Sequence, residues 1–193
     1  MIAPESVLAI ARAGAGVNNI PYDKYAEDGV VVFNTPGANA NAVSELVVTA
    51  LLIGSRKIVP AINWVSTLKD DKNLDKTVEK GKKDFVGGEL YGKKLGVIGL
   101  GAIGAKVANT AINLGMEVLG YDPYLSVINA LHLSRHVEVT SDINDIFKTC
   151  DYVTIHVPFT QDNKYMVNAS KLKKMKNGAV LINLARGELV NTS

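Results

Sequence analysis

The run Gly99-Leu100-Gly101-Ala102-Ile103-Gly104 spaces three glycines as a dinucleotide pyrophosphate requires. Gly99 allows a tight turn out of the preceding strand. Gly101 lets the main chain approach the phosphates, and Gly104 lets helix and strand pack closely. Free N–H groups at the helix N-terminus would face the anion, and the helix dipole favours negative charge there. Asp122 lies 18 residues beyond Gly104. Its carboxylate can accept hydrogen bonds from the adenosine ribose and would repel a 2′-phosphate. No Arg among Pro123, Tyr124 and Leu125 reverses that, so NAD is expected in preference to NADP. Three glycines alone could be a structural turn, and Asp122 a solvated turn residue. The order of parts around them favours the nucleotide site.

Open parallel sheets bind ligands beyond the carboxyl ends of their strands. Three segments should gather there: the glycine turn, His156-Val157-Pro158, and Leu184-Ala185-Arg186-Gly187. The planar, permanently charged guanidinium of Arg186 can grip a carboxylate or carbonyl oxygen with two hydrogen bonds. Its competing role is a structural ion pair. His156 reads as part of a strand-end motif, not as a general acid–base. His132 and His136, four apart, could share a helix face, but no further ligand type is near and no metal site is expected. Cys150 is the only cysteine and reads as a buried core thiol in a reducing compartment.

These residues need a scaffold, and the hydrophobic pattern supplies one. Residues 95–98 read as a buried strand, 102–114 as a helix and 116–121 as a second strand. The alternation continues with a helix at 126–131, a weak strand at 137–139, a helix at 142–148 and a strand at 152–157. A short helix at 168–175, capped by Asn168 or Ser170, and a strand at 179–183 complete it. Repeated strand–helix–strand units predict an α/β fold, a doubly wound parallel sheet covered on both faces.

Upstream, residues 7–11 and 30–34 read as strands, the second buried, with a turn at 14–16 and a helix at 21–27. Residues 40–58 read as one long helix, apolar on every side through Val43, Leu46, Val47, Val48, Leu51, Leu52 and Ile53. Such a helix should be covered on every side, between two domains or across a subunit contact. A more polar helix is expected at 60–80, with Trp64 and Leu68 as core contacts, then a Gly- and Lys-rich loop at 81–93.

At 193 residues the chain is one large domain, or a domain plus a fragment, and 47% hydrophobic content suffices for a core. The net charge of +2 gives no reason to expect nucleic acid. The lysines of residues 171–176 read as the solvated face of a short helix. The first ten residues hold Pro4 and Glu5 without a basic region, so no signal peptide is expected. The apolar run at 46–54 is too short to span a bilayer, so a cytoplasmic protein without membrane contact is expected.

The sequence resembles the D-isomer-specific 2-hydroxyacid dehydrogenases. The likeness rests on residues 11–20, Asn34-Thr35-Pro36-Gly37, residues 88–93, the glycine turn, Gly120-Tyr121-Asp122-Pro123, His156-Val157-Pro158, and residues 175–187. Arg12-Ala13-Gly14-x-Gly16 followed by Asn19-Ile20 is most similar to members acting on 3-phosphoglycerate.

The resemblance implies an NAD-dependent oxidoreductase and assigns roles. Arg186 matches the catalytic arginine. Ala102 and Ile103 match the pyrophosphate turn and Asp122 the ribose position; Val157, Pro158, Leu184, Ala185 and Arg186 match the cofactor site. Arg12, Gly14 and Ala15 match a substrate loop, with Ala15 also facing the nicotinamide and Arg12 a candidate for the substrate phosphate or for a loop ion pair. It further implies a Rossmann-type NAD-binding domain at 39–193 and, at 1–38, a remnant of a flavodoxin-like substrate domain; the apolar helix at 40–58 adds the expectation of a homodimer. The family's catalytic Glu and His have no counterpart in this sequence, so the chain alone is expected to be inactive. Other members act on lactate, glycerate or glyoxylate, and NAD-sensing corepressors share the fold; no residue here favours the latter.

Overall fold

The computed structural model describes Pro4, residues 6–17 and residues 19–193. Asn18 of the 11–20 motif lies outside the described residues, as do Met1, Ile2, Ala3 and Glu5 of the segment read for a leader.

Strand β1 (Ala9–Arg12) pairs in parallel with β2 (Val31–Asn34), Arg12 lying opposite Asn34, and helix α1 (Tyr22–Glu27) joins them. The strand at 30–34 is not buried as expected: Val31 and Phe33 are 52% and 57% exposed. Two strands and one short helix cannot cover both faces of the pair.

The helix expected over 40–58 breaks into α2 (Ala40–Ser55) and α3 (Ile58–Ser66), because Arg56 is extended. Pro60 would clash with Arg56 O in an unbroken helix, and a segment thirty residues further on packs into the break. Gly88 N donates to Ser55 O at 2.8 Å, taking the carbonyl that would continue the helix. A Cβ on Gly87 would fall 2.4 Å from that same oxygen, so only glycine lets the segment approach. Within this chain α2 is covered on one side. Ala40, Ser44, Val47, Leu51 and Ser55 are buried, while Leu46, Leu52 and Ile53 stay exposed. Pro60 sits in the first turn of α3, where its missing N–H costs nothing. The expected 60–80 helix is also divided, since α4 (Leu74–Gly81) starts afresh after Asp71 accepts bonds from Asn73 N and Thr77 Oγ1. Trp64 and Leu68 are half-buried, and Trp64 stacks on Phe85 with ring centroids 4.9 Å apart.

From residue 94 the expected alternation is observed. It runs β3 (Lys94–Ile98), α5 (Ala102–Asn113), β4 (Glu117–Tyr121), α6 (Val127–Leu131) and β5 (Val137–Val139). It continues with α7 (Ile143–Thr149), β6 (Tyr152–Ile155), α8 (Ala169–Leu172) and β7 (Val180–Asn183). All pairings are parallel, in the order β5-β4-β3-β6-β7. The order reverses beside β3, which opens a crevice at its carboxyl end. One core layer joins α2, α5 and the sheet through Val47, Leu51, Leu95, Val97, Val107 and Val118. The other packs Ile98, Ile146, Phe147, Cys150, Val153 and Ile155 together. The side chains of Ser126, Asp142 and Asn168 cap α6, α7 and α8.

Cys150 is buried and free, and burial pushes its thiol pKa up. His132 and His136 do not share a helix face: His132 ends α6, and His136 lies in the turn before β5 with Nδ1 3.4 Å from Ser134 Oγ. The lysines of 171–176 are not simply solvated. Lys171 and Lys174 donate to Asn144 Oδ1 at 2.6 and 2.8 Å, and Lys176 pairs with Asp151 at 2.9 Å. No helix among the described residues is long and apolar enough to cross a membrane.

Candidate functional site at the carboxyl end of the sheet

The three expected segments lie at the ends of β3, β6 and β7. Gly99 is left-handed, φ 92°, and its N–H donates to Tyr121 O at 2.8 Å. A Cβ there would meet His156 C and O at 2.8 Å and Val157 Cγ1 at 2.9 Å, so the first two segments are in contact. Gly104 packs even more closely, since a Cβ would come 1.8 Å from Gly99 O. Gly101 begins α5 with no side-chain cap, and nothing lies within 4 Å of the place a Cβ would occupy.

Asp122 is already oriented. Its Oδ2 accepts from Leu100 N and its Oδ1 from Tyr124 N, each at 2.9 Å. The contact with Leu100 N joins the ribose candidate directly to the glycine turn.

The loop after β1 reaches the same place. Gly14 N donates to Thr35 Oγ1 at 2.8 Å, Thr35 N to Gly14 O at 3.1 Å, and Asn34 Nδ2 to Ala15 O at 2.9 Å. A Cβ on Gly37, two residues later, would lie 3.5 Å from Ala102 Cβ at the start of α5. Arg12 Nη1 donates to Asn19 Oδ1 at 3.2 Å, and its Nε is buried without a hydrogen-bond partner. Among the described residues Arg12 forms no ion pair.

Arg186 is exposed, opens a 3-10 turn at Gly187–Leu189, and donates from Nη1 to Ala185 O at 2.9 Å. It too makes no ion pair among the described residues, so the structural alternative finds no partner. Asn183 holds the loop that carries it: Nδ2 donates to Arg186 O at 2.7 Å, and Oδ1 accepts from Ala185 N at 3.1 Å. Sequence reasoning assigned Asn183 no role; a polar amide directly after Val180-Leu181-Ile182 was the available signal. Val157 and Ala185 are half-buried, while Pro158 and Leu184 are exposed.

His156 Nε2 lies 3.0 Å from Thr154 Oγ1, and burial pushes its pKa down to about 4. The ring is therefore neutral at physiological pH. As pH falls, the unfolded chain takes up this proton near 6.5 and the folded chain only near 4. Stability should thus fall across that window, by about 3 kcal/mol at roughly 1.4 kcal/mol per unit. Urea denaturation at about pH 7 and about pH 4.5 measures this. His156→Gln should flatten the difference, and an equal loss in both proteins would exclude His156 as its source.

No three His, Cys, Asp or Glu residues among the described ones are grouped to hold a metal. A hollow of about 580 Å³ lies elsewhere, lined by Val17, Tyr22, Ala26 and Val32 beside β2.

The residues at the strand ends fit a dinucleotide. The N-terminus of α5 is uncapped, Gly101 leaves open a cradle that a Cβ would fill, and a carboxylate stands beside the turn. Residues 48–193 match the D-isomer specific 2-hydroxyacid dehydrogenase, NAD binding domain, family. The chain belongs to this family. NAD is therefore its cofactor.

The chain is 38% identical over 187 residues to D-3-phosphoglycerate dehydrogenase of Methanocaldococcus jannaschii, covering 97% of this chain and 33% of that protein. It is also 38% identical over 189 residues to hydroxypyruvate reductase of Thermotoga maritima, covering 98% of this chain and 56% of that protein. This chain thus spans between a third and just over half of these relatives. Among solved structures, the holo form of Rhodotorula graminis D-mandelate dehydrogenase aligns with TM-score 0.80 and 26% identity, covering 98% of this chain and 54% of that one. D-lactate dehydrogenase of Aquifex aeolicus, complexed with NAD and lactic acid, aligns with TM-score 0.77 and 28% identity, covering 95% and 51%.

Discrimination against NADP is expected to rest on Asp122. Its replacement by Ala should weaken NAD by about tenfold, near 1.4 kcal/mol, and bring NADP close to NAD in affinity. Titrating both cofactors into both proteins tests this. Wild-type protein that binds NADP as tightly as NAD would refute the role of Asp122.

Proposed function

We propose that this chain forms the NAD-binding part of an oxidoreductase acting on D-2-hydroxy acids, with 3-phosphoglycerate oxidised to 3-phosphohydroxypyruvate. One observation carries the reading: the uncapped, glycine-cradled start of α5 shares the carboxyl end of the sheet with Arg186, a cation without an ionic partner among the described residues. The cofactor, when bound, would accept a hydride from C2 of the acid.

The protein's part is to bind and orient. The first turn of α5 and Gly101 hold the pyrophosphate, and Ala102 and Ile103 stand at that turn. Asp122 takes the ribose. Val157, Pro158, Leu184 and Ala185 line the nicotinamide end. Arg186 grips the carboxylate and polarises the reacting carbon–oxygen bond. Ala15 offers its main-chain N–H to the substrate, and Gly14, whose N–H donates to Thr35 Oγ1, shapes the loop that presents it. Arg12, with Nε buried and unpartnered, takes the phosphate. None of His132, His136 and His156 suits the hydroxyl proton, so this chain alone should turn over negligibly.

The two separate sheets support a division near residue 38, between part of a substrate-binding unit and the NAD-binding unit at 39–193. The exposed Leu46, Leu52 and Ile53 support a homodimer packed on that side of α2. A charge at Leu51 would strike the core instead, since that residue is fully buried within one chain. Leu46→Glu is the cleaner probe, and a wild type that is monomeric by light scattering at micromolar concentration would sink the subunit reading.

A second reading has its own support. The Thermotoga maritima relative, equally identical, is a hydroxypyruvate reductase. Rates of nicotinamide reduction with 3-phosphoglycerate, glycerate and lactate in the active enzyme separate the two. A kcat/KM at least about tenfold higher for the phosphorylated acid is expected, as a half-buried cation paired by a phosphate would give. Equal or better use of glycerate would favour the reductase.

A further inference from the structure

The glycine turn is seated through a side chain of its own, Leu100, on a glycine of β4 that no role above touches. Gly120, in β4, is buried, and its φ is not positive, so its backbone conformation does not call for glycine. A glycine inside a strand normally weakens it, unless something approaches closely. Here something does: a Cβ on Gly120 would lie 2.7 and 2.9 Å from the two Cδ atoms of Leu100 and 3.2 Å from its Cγ. Leu100 is fully buried, in the cluster that holds Val97, Val107 and Val118. It is also the middle residue of Gly99-Leu100-Gly101, and its N–H donates to Asp122 Oδ2.

We infer that Gly120 and Leu100 are positioning residues for the dinucleotide. The missing side chain at 120 gives Leu100 its seat, and the seated Leu100 holds the glycine turn against the Asp122 carboxylate. Ribose and pyrophosphate positions are thereby set together, before any ligand arrives. The inference rests on reading this turn as the pyrophosphate site.

The test uses Gly120→Ala, Leu100→Ala and the double variant of this chain. Dissociation constants for NAD and ADP-ribose, urea stability without ligand, and amide hydrogen exchange at Leu100 are measured. Gly120→Ala should weaken both ligands by about tenfold and expose the Leu100 amide to exchange; Leu100→Ala should weaken them by about threefold. An alanine at 100 leaves room for the new methyl group, so the double variant should bind like Leu100→Ala alone.

Losses that simply add in the double variant overturn the inference. So does a Gly120→Ala protein that is less stable yet binds both ligands normally, which would make the contact mere packing. If Gly120→Ala fails to fold, a folded Leu100→Ala with unchanged affinities overturns it equally. A wild type whose Leu100 amide is protected but which binds neither ligand would overturn the reading of the turn itself, and the inference with it.

Discussion

Gly104→Ala should cost about 3 kcal/mol or more in stability and abolish measurable NAD binding, at the upper end of overpacking effects. The added methyl carbon would stand 1.8 Å from Gly99 O and 2.9 Å from Gly99 C. Those are backbone atoms, so no rotamer change relieves the contact. Either the turn or the start of α5 must move, and Gly99 is itself wedged against His156 and Val157. Gly101→Ala is the control. Its φ of −71° suits any residue and the space beside it is empty, so stability should change by less than about 0.5 kcal/mol while NAD affinity falls. Urea denaturation and NAD titration of both variants check this. A Gly104→Ala protein within about 1 kcal/mol of wild type would mean the strand–helix approach is looser than it stands here.

Arg186→Lys in the active enzyme should lower kcat/KM by roughly 10²-fold or more, the scale of losing one transition-state contact. Lysine keeps the charge but cannot make two parallel hydrogen bonds to a carboxylate. NAD affinity should change by less than about threefold, near 0.6 kcal/mol. The clasp of Asn183 around Ala185 and Arg186 uses main-chain atoms of Arg186, so the loop should survive the exchange. Steady-state kinetics with 3-phosphoglycerate, alongside NAD titration, reads both numbers. Nearly unchanged kcat/KM would mean that Arg186 is structural.

What could be read from the sequence follows from how local each signal is. The glycine turn, the acid at 122 and the strand–helix alternation after residue 94 depend on spacing within about thirty residues, the span of one strand–helix–strand unit. All three stand as expected. The cap at Asn168 was legible for the same reason, because a cap bonds to a backbone N–H two or three residues on; Ser126 and Asp142, read as first helical residues, are caps as well.

Periodicity reports which sides of an element are apolar, but not what covers them. It therefore missed the approach of Gly87 and Gly88 to the end of α2 and the exposure of Val31 and Phe33, whereas the break at Arg56 had a local signal in Pro60, four residues on. The same limit hid the inner face of α2, where Leu51 turns into the core while Leu46 does not. The sequence by itself determined the fold class, the glycine turn and the acid beside it, because hydrogen-bonding geometry and glycine's missing Cβ act over short stretches of chain. Only the tertiary structure decided that Leu100 sits on Gly120 and bonds to Asp122, and that Arg12 and Arg186 have no ionic partner among the described residues. Those facts depend on which segments meet in space, and that is set by packing between strands and helices far apart in the chain.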